Sequence, residues 1–335
     1  MPTYLAIHVD SDGTLRPTAR ELTPPGAGDV RIQVLACGVC HSDSLAVHPY
    51  GHGEPTPAPG HEAVGVIDAL GEGVTGWAIG TRVGVGFLAG HCGTCANCRR
   101  GDFVGCTNQQ WTGVHKDGGY AEVLYARASS LVTIPDELTS EEAAPLLCAG
   151  FTVYNALMRS GARPGDLVAI QGIGGLGHLG LQYARAMGLR VAAIARGSAK
   201  ATLAKELGAD YYIDSSLTDV AAELQQLGGA AAVIATAANS NMTPLIGGLA
   251  RGGKLVAVGI TEQPIEVSTV TLIMQDVEIV GSLTGTPAEN EQNLRFAAAQ
   301  GIRALTELAP LTDAAEAYDR MMSGDARFRM VLTTQ

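Results

Sequence analysis

The stretch Asp166–Gly180 constrains this chain more than any other. It reads Asp-Leu-Val-Ala-Ile-Gln-Gly-Ile-Gly-Gly-Leu-Gly-His-Leu-Gly. Leu167–Ile170 is an apolar run with the length of one buried parallel strand. Gly172, Gly174 and Gly177 follow in the spacing G-x-G-x-x-G, and from Leu176 to Met187 apolar residues recur at helical spacing. Strand, glycine turn and helix in this order make a phosphate cradle. The first glycine allows the tight turn, the second lets a pyrophosphate approach the backbone, and the third lets helix and strand pack closely. The phosphates then sit at the positive N-terminus of the helix. A chain with 43 glycines produces some such spacings by chance. It is the flanking strand and helix that separate this one from a plain glycine turn in an α/β sheet.

With 335 residues, the chain is long enough for two domains, since single domains typically run to about 100–200 residues. A hydrophobic fraction of 46% and a charged fraction of 16% suit a well-buried globular protein, and 5% aromatics imply cores of Val, Ile, Leu and Ala. The net charge of −11 argues against nucleic acid or an anionic membrane as a partner. Met-Pro-Thr-Tyr-Leu-Ala lacks the basic flank and long apolar core of a signal peptide. No apolar run approaches the roughly 20 residues that span a bilayer. A cytoplasmic location is expected.

Up to about residue 150 the chain reads as short strands punctuated by Gly and Pro. Asp29–Ala36 alternates, with Val30, Ile32 and Val34 on one face and Arg31 and Gln33 on the other. Similar runs lie at Ala63–Leu70, Thr81–Val85, Tyr120–Leu124 and Leu131–Ile134. A compact, largely β and barrel-like domain is expected. The texture changes near Thr139. Ser140-Glu-Glu-Ala resembles a helix start with acids in its first turn, and Ala143–Met158 predicts a buried helix. Candidate strands then alternate with helical stretches: Leu167–Ile170, Arg190–Ala195, Tyr211–Ile213, Ala231–Ala235, Lys254–Val258 and Glu278–Val280. This pattern implies a doubly wound parallel sheet. From about Thr284, two helical segments and a final run, Phe328–Thr333, are expected to return to the first domain. The expected boundaries are 1–150, 151–284 and 285–335.

Seven cysteines, an odd number, with four of them between positions 92 and 106, do not resemble a disulfide framework. Cys92, Cys95, Cys98 and Cys106 lie in a segment with almost no apolar residues to bury them. Four thiolates satisfy the closed tetrahedron of a structural zinc. His91 precedes the first of them and is expected to be solvated. Cys40, His61 and Cys148 are spread along the chain, and spacing alone does not join them.

The run Gly60-His61-Glu62-Ala63-Val64-Gly65, with Gly71 and Val74 beyond it, matches the zinc signature of the medium-chain dehydrogenase/reductase family. Gly38-Val39-Cys40-His41-Ser42-Asp43, the four-cysteine loop, Cys148-Ala-Gly-Phe-Thr152 and the glycine turn follow the family's order over essentially the full length. The chain therefore resembles a zinc-dependent alcohol dehydrogenase of that family. The resemblance implies an α/β protein, with a GroES-like β-rich catalytic domain and a Rossmann cofactor domain. It implies two zincs per chain. Cys40, His61 and Cys148 would ligate a catalytic zinc, the Cys2His set that leaves one position open. Glu62 would sit beside that metal and ligate it transiently, and Asp43 would accept a hydrogen bond from the His61 ring. Zinc there would act as a Lewis acid toward the substrate oxygen, and Ser42 would start the proton relay. Many relatives carry a histidine further along this relay where the present chain has Leu45; His48 lies three residues on.

For the coenzyme, the resemblance adds softer contacts. Gly175 and Leu176 belong to the glycine turn. Thr152 would approach the nicotinamide, and Val258, Gly259 and Ile260 would face the carboxamide. His41 and Arg329 would reach the pyrophosphate. NAD-specific folds carry an acid at the end of the second strand, about 20 residues beyond the glycines. Here Ala195 is followed by Arg196, Gly197, Ser198, Ala199 and Lys200. A guanidinium, a hydroxyl and an ammonium suit a 2′-phosphate, so NADP is favoured and NAD is the alternative. Phe87, Leu88 and Trp111, with a contribution expected from Tyr50, suggest a pocket for an apolar primary alcohol or aldehyde, aromatic ones included. Phe87 and Leu88 fit a core role nearly as well. A polyol or sugar dehydrogenase of the same family, a zinc-free quinone reductase and a non-catalytic zinc- and nucleotide-binding redox sensor are the competing readings. A homodimer or homotetramer is expected.

Overall fold

A computed structural model describes residues 1–48 and 57–334. Tyr50 lies outside the described residues. The chain divides into two compact units, one made of Met1–Phe151 with Thr284–Gln335 and the other of Thr152–Leu283.

The first unit is built on the strand Asp29–Gly38. Val30, Ile32 and Val34 point into the core, at 0%, 1% and 3% exposure. Arg31 and Gln33 point outward, and each donates to one oxygen of Asp68, at 2.8 and 2.7 Å. One edge of this strand pairs with Ala63–Leu70. The other edge is shared: its first half pairs with Val123–Arg127 and its second half with Arg329–Thr333. Arg82–Val85, Leu131–Thr133 and Thr306–Pro310 complete a seven-stranded sheet. The C-terminal run Arg329–Thr333 thus pairs with the second half of Asp29–Gly38. The α-helices between Thr284 and this run are Pro287–Gln300 and Ala314–Ser323.

Three strand ends meet in this sheet. Cys37 is paired with Ala63 and Gly38 with Val331. Cys40, just past one end, His61 and Glu62, just before another, and Arg329, at the start of a third, are brought together by ladder register.

Three features depart from the sequence reading. The strand expected at Tyr120–Leu124 runs instead from Val123 to Arg127. Tyr120 leaves the ladder because its N–H bonds the Pro59 carbonyl and its own carbonyl accepts from Ile7. An unanticipated hairpin joins Thr3–Val9 to Leu15–Glu21. Its second strand is almost wholly exposed, so it has no buried alternation to read. The helix expected over Ala143–Met158 is broken. A short helix, Ser140–Ala143, with a Thr139/Glu142 capping box, gives way to a 3-10 turn at Ala144–Leu147, and a new helix spans Ala149–Ser160.

The second unit holds a six-stranded sheet, parallel throughout. Its order is Tyr211–Asp214, Arg190–Ala195, Leu167–Gln171, Ala230–Ala235, Leu249–Ala257 and Glu278–Gly281. The strand that precedes the glycine turn is central, and Val168, Ala169 and Ile170 are fully buried. Chain order reverses on its two sides, which makes the C-terminal end of Leu167–Gln171 the switch point where such sheets bind ligands. Gly172 sits there with φ +92°, a backbone that only glycine adopts without strain. A Cβ on Gly177, the first residue of the helix Gly177–Ala186, would fall inside the Gly172 carbonyl oxygen. Thr236, after the neighbouring strand, donates to the carbonyls of Gln171 and Gly172 at 2.9 and 3.0 Å and fixes the turn from the other side.

Gly177→Ala should therefore push the helix off the strand and destabilise this unit by about 1–3 kcal/mol. Calorimetry should show an earlier first unfolding transition. An unchanged transition would mean that the turn can open without cost.

Candidate metal centres and coenzyme cradle

The ligand atoms of Cys40, His61 and Cys148 lie within 4.8 Å of one another. Cys40 is 4% exposed and His61 fully buried. His61 Nε2 is buried with no hydrogen-bond partner among the described residues. Its Nδ1 stands 2.9 Å from Asp43 Oδ1, close enough for an ion pair though not aligned as a straight hydrogen bond. A hydrogen bond from Cys148 and the charge of His61 hold the Cys40 thiol well below its usual range despite burial, while the same hydrogen bond and burial push Cys148 up. Two sulfurs, one of them inclined to ionise, and an orphaned imidazole nitrogen fit a thiophilic divalent metal. Three protein donors leave a tetrahedral ion one open position.

Asp43 holds this arrangement from behind. It is 1% exposed, in the 3-10 turn His41–Asp43. Its Oδ2 accepts from the Cys40 N–H at 2.9 Å and from the Tyr120 hydroxyl at 2.8 Å. Its Oδ1 accepts from the Gly60 N–H at 3.3 Å and faces His61. Peptide N–H groups can only donate, so the carboxylate is the acceptor, and His61 Nδ1 is the nitrogen suited to carry the proton. Nε2 is then the nitrogen left to a metal, which would displace any proton on it.

Glu62 is fully buried beside these residues. Arg329 donates to both of its oxygens, at 2.7 and 2.5 Å, and Ala149 N–H donates to Oε1 at 3.2 Å. Burial pushes the Glu62 carboxyl up to about 7 against the pull of Arg329. Arg329, expected at a pyrophosphate, is itself 3% exposed and engaged by Glu62. Gly38 makes room for this pair, since a Cβ there would collide with Glu62 Oε2.

Cys148 occupies the break between the 3-10 turn and the following helix, with φ −124° and ψ −68°. The break frees carbonyls that a continuous helix would have bonded. Asn290 Nδ2 takes the Leu147 carbonyl at 2.9 Å and Asn293 Nδ2 takes that of Leu146 at 3.0 Å. The two asparagines face one way at i and i+3 on the helix Pro287–Gln300, and they satisfy the buried backbone that presents Cys148.

Cys92, Cys95, Cys98 and Cys106 form a second cluster, again with sulfurs within 4.8 Å. Backbone N–H groups point at them: Cys95 N to Cys92 Sγ at 3.4 Å, Cys98 N to Cys95 Sγ at 3.5 Å and Cys92 N to Cys106 Sγ at 3.4 Å. Such donors stabilise thiolates. Hydrogen bonds led by the Thr94 N–H lower the Cys92 thiol to about 5, and those led by Cys98 lower Cys95 to about 7; burial raises Cys98 to about 12. Four sulfurs close a tetrahedral site. The neighbouring His91 is exposed, and its ring lies 4.2 Å from that of Phe103.

An aromatic wall adjoins the first cluster. The Phe87 ring meets His61 edge-on at 5.1 Å and stacks on Trp111 at 5.3 Å. Leu88 is paired with Trp111 across a short ladder. Ser42 is half-buried in the turn after Cys40, beside exposed His41; Leu45 is half-buried and His48 exposed.

In the second unit, a Cβ on Gly174 would meet nothing within 4 Å among the described residues, so the turn is open on that side. Gly175 and Leu176 lead into the helix. Arg196 and Ser198 are exposed. Lys200 Nζ donates to the Ile173 carbonyl within the glycine turn at 2.6 Å. Asp214, ending the adjacent strand, accepts from Gly197 N–H at 2.8 Å and from the Ser216 hydroxyl at 2.6 Å. Thr152 is 8% exposed, and Ile260 is 72% exposed, next to half-buried Val258. Sequence reasoning misses Tyr120, Asn290, Asn293, Asp214 and Thr236. The paired asparagines at i and i+3 are the one signal the sequence offers, because a buried amide needs a partner.

Two family models match the chain: an alcohol dehydrogenase GroES-like domain over residues 26–136 and a zinc-binding dehydrogenase over residues 175–299. The alcohol dehydrogenase patD of Penicillium expansum is 45% identical over 93% of this chain and 92% of its own length. A cinnamyl alcohol dehydrogenase structure from Sorghum bicolor superposes with a TM-score of 0.89 at 31% identity, covering 99% of this chain and 98% of that one. A Helicobacter pylori enzyme of the same kind, described in complex with NADP(H), gives a TM-score of 0.86 at 27% identity, covering 99% and 97%. With the β-rich unit, the parallel sheet and both cysteine-bearing clusters in place, the chain belongs to the zinc-type alcohol dehydrogenases of the medium-chain dehydrogenase/reductase family, oxidoreductases that act on alcohols with a nicotinamide coenzyme.

Proposed function

We propose that this chain interconverts an apolar primary alcohol, aromatic ones included, and its aldehyde, with NADP preferred over NAD. In this reading it holds two zincs: one at Cys40, His61 and Cys148 and one at Cys92, Cys95, Cys98 and Cys106. The observation that carries the reading is a cluster of three donors, Cys40 and His61 buried and Cys148 half-buried, whose His61 ring lies 5.1 Å from that of Phe87. Zinc bound to that cluster supplies Lewis acidity, favouring negative charge on an oxygen near it. The chain's own residues do the rest. Asp43 orients His61. Phe87 and Trp111 keep water from the reacting carbon and disfavour a polyol. Ser42, two residues past Cys40, offers its Oγ as the first proton acceptor. Glu62 stands beside the cluster with both oxygens held by Arg329.

The residues just past Ala195 support NADP. Arg196 and Ser198 are exposed and able to meet a phosphate. The nearby acid, Asp214, is engaged with Gly197 and Ser216 rather than free for a ribose hydroxyl. A cytoplasmic homo-oligomer is the assembly we expect. Among the described residues, the edge strand Glu278–Gly281 has one unpaired side, and Val270, Ile273 and Met274 on the preceding helix are 67%, 73% and 66% exposed. Such a patch is of a kind that associates. Among the described residues, no helix is long and apolar enough to cross a membrane.

A rate survey over alcohols and aldehydes with both coenzymes, on a preparation sized by light scattering, should give a higher kcat/KM with NADP, larger rates for apolar and aromatic substrates than for polyols, and a particle larger than one chain. A higher kcat/KM with NAD would remove the coenzyme assignment. Cys40→Ser should lose turnover and one zinc while keeping its fold by circular dichroism. Cys95→Ser should lose the other zinc and chiefly lower the unfolding temperature. Near-normal turnover in zinc-loaded Cys40→Ser would overturn the division of roles.

A further inference from the structure

We propose that Tyr120 is a positioning residue for the centre formed by Cys40, His61 and Cys148, acting through the Asp43 carboxylate. The proposal rests on the reading that this cluster holds zinc. Tyr120 is fully buried and donates its hydroxyl to Asp43 Oδ2 at 2.8 Å, on the oxygen that also accepts the Cys40 N–H. The other oxygen faces His61 and accepts from Gly60. A carboxylate offers about four lone-pair directions. Among the described residues, the groups that face them are the Cys40 N–H, the Gly60 N–H, the His61 ring and one group from outside these segments. That outside group is Tyr120.

Tyr120 is anchored both to the segment that precedes His61 and to a strand outside it. Its N–H bonds the Pro59 carbonyl at 2.9 Å, its carbonyl accepts from Ile7 at 2.8 Å, and Ala121 bridges to Ala6. Its ring fills the space where a Cβ on Gly60 would lie. The phenol therefore ties the carboxylate to a fixed point in the β sheet region. Without it, the partners left to Asp43 among the described residues are Cys40, Gly60 and His61, which belong to the cluster's own segments. Oδ2 would lose one of its two donors, and Asp43 could then rotate and turn Oδ1 away from His61.

The test is zinc release into a chromogenic chelator from holoenzyme carrying Tyr120→Phe, which keeps the ring and removes only the hydroxyl. The four-cysteine zinc serves as an internal reference. Release from the Cys40 centre should be ~3- to 10-fold faster, below the 10–100-fold typical of a group bonded directly to a ligand. Release from the four-cysteine site should be unchanged. In an Asp43→Asn background the same Tyr120→Phe change should add less than twofold, because the path through the carboxylate is already cut. Equal release rates in wild type and Tyr120→Phe, or equal acceleration of both zincs, would overturn the proposal. A wild-type protein that holds only the four-cysteine zinc would overturn the underlying reading as well.

Discussion

A single buried carboxylate carries the architecture of the first centre. Asp43 is an anion placed where water cannot reach it, and an isolated charge in such a place is costly. The fold answers with three hydrogen-bond donors and an imidazole around its two oxygens. Three of these four groups belong to the segments that carry the centre. The Cys40 amide fixes one sulfur, the Gly60 amide fixes the segment bearing His61, and the ring of His61 is set directly. The charge that has to be neutralised thus fixes, relative to one another, points of the chain that the ladder register has already brought close.

The second buried pair works on the same principle. Glu62 and Arg329 come from strand ends that the ladder register already makes neighbours. Removing either partner from such a pair would leave an uncompensated buried charge. Glu62 also accepts from Ala149, the residue after Cys148. Cys148, the third proposed ligand, is therefore next to a residue tied to the acid beside the other two.

Much of this is legible in the sequence, for reasons that differ by element. Asp29–Gly38 and the six parallel strands announce themselves because burial imposes a period or a continuous apolar run. The four-cysteine loop is local, so spacing suffices. Cys40, His61 and Cys148 are not local, and without coordinates only resemblance joins them. The helix break at Cys148 is hidden because its neighbours are all apolar, a pattern that suits a buried helix equally well. What makes the break tolerable, Asn290 and Asn293, lies more than 140 residues away. In the sequence Tyr120 looks like one more strand residue. Its hydroxyl matters through a partner 77 residues distant, which no periodicity can reveal. The resemblance points Arg329 toward a pyrophosphate; the structure adds a buried acid that competes for it.

The central claim is that three scattered residues make a metal centre with room for a substrate oxygen, distinct from the closed four-cysteine site. Zinc-edge X-ray absorption on the purified chain tests this most directly. Four cysteines at one site and two at the other, with one histidine, predict two zincs per chain, an average of three sulfurs per zinc, and a nitrogen and a light oxygen ligand shared across the pair. One zinc per chain surrounded by four sulfurs alone would contradict the account.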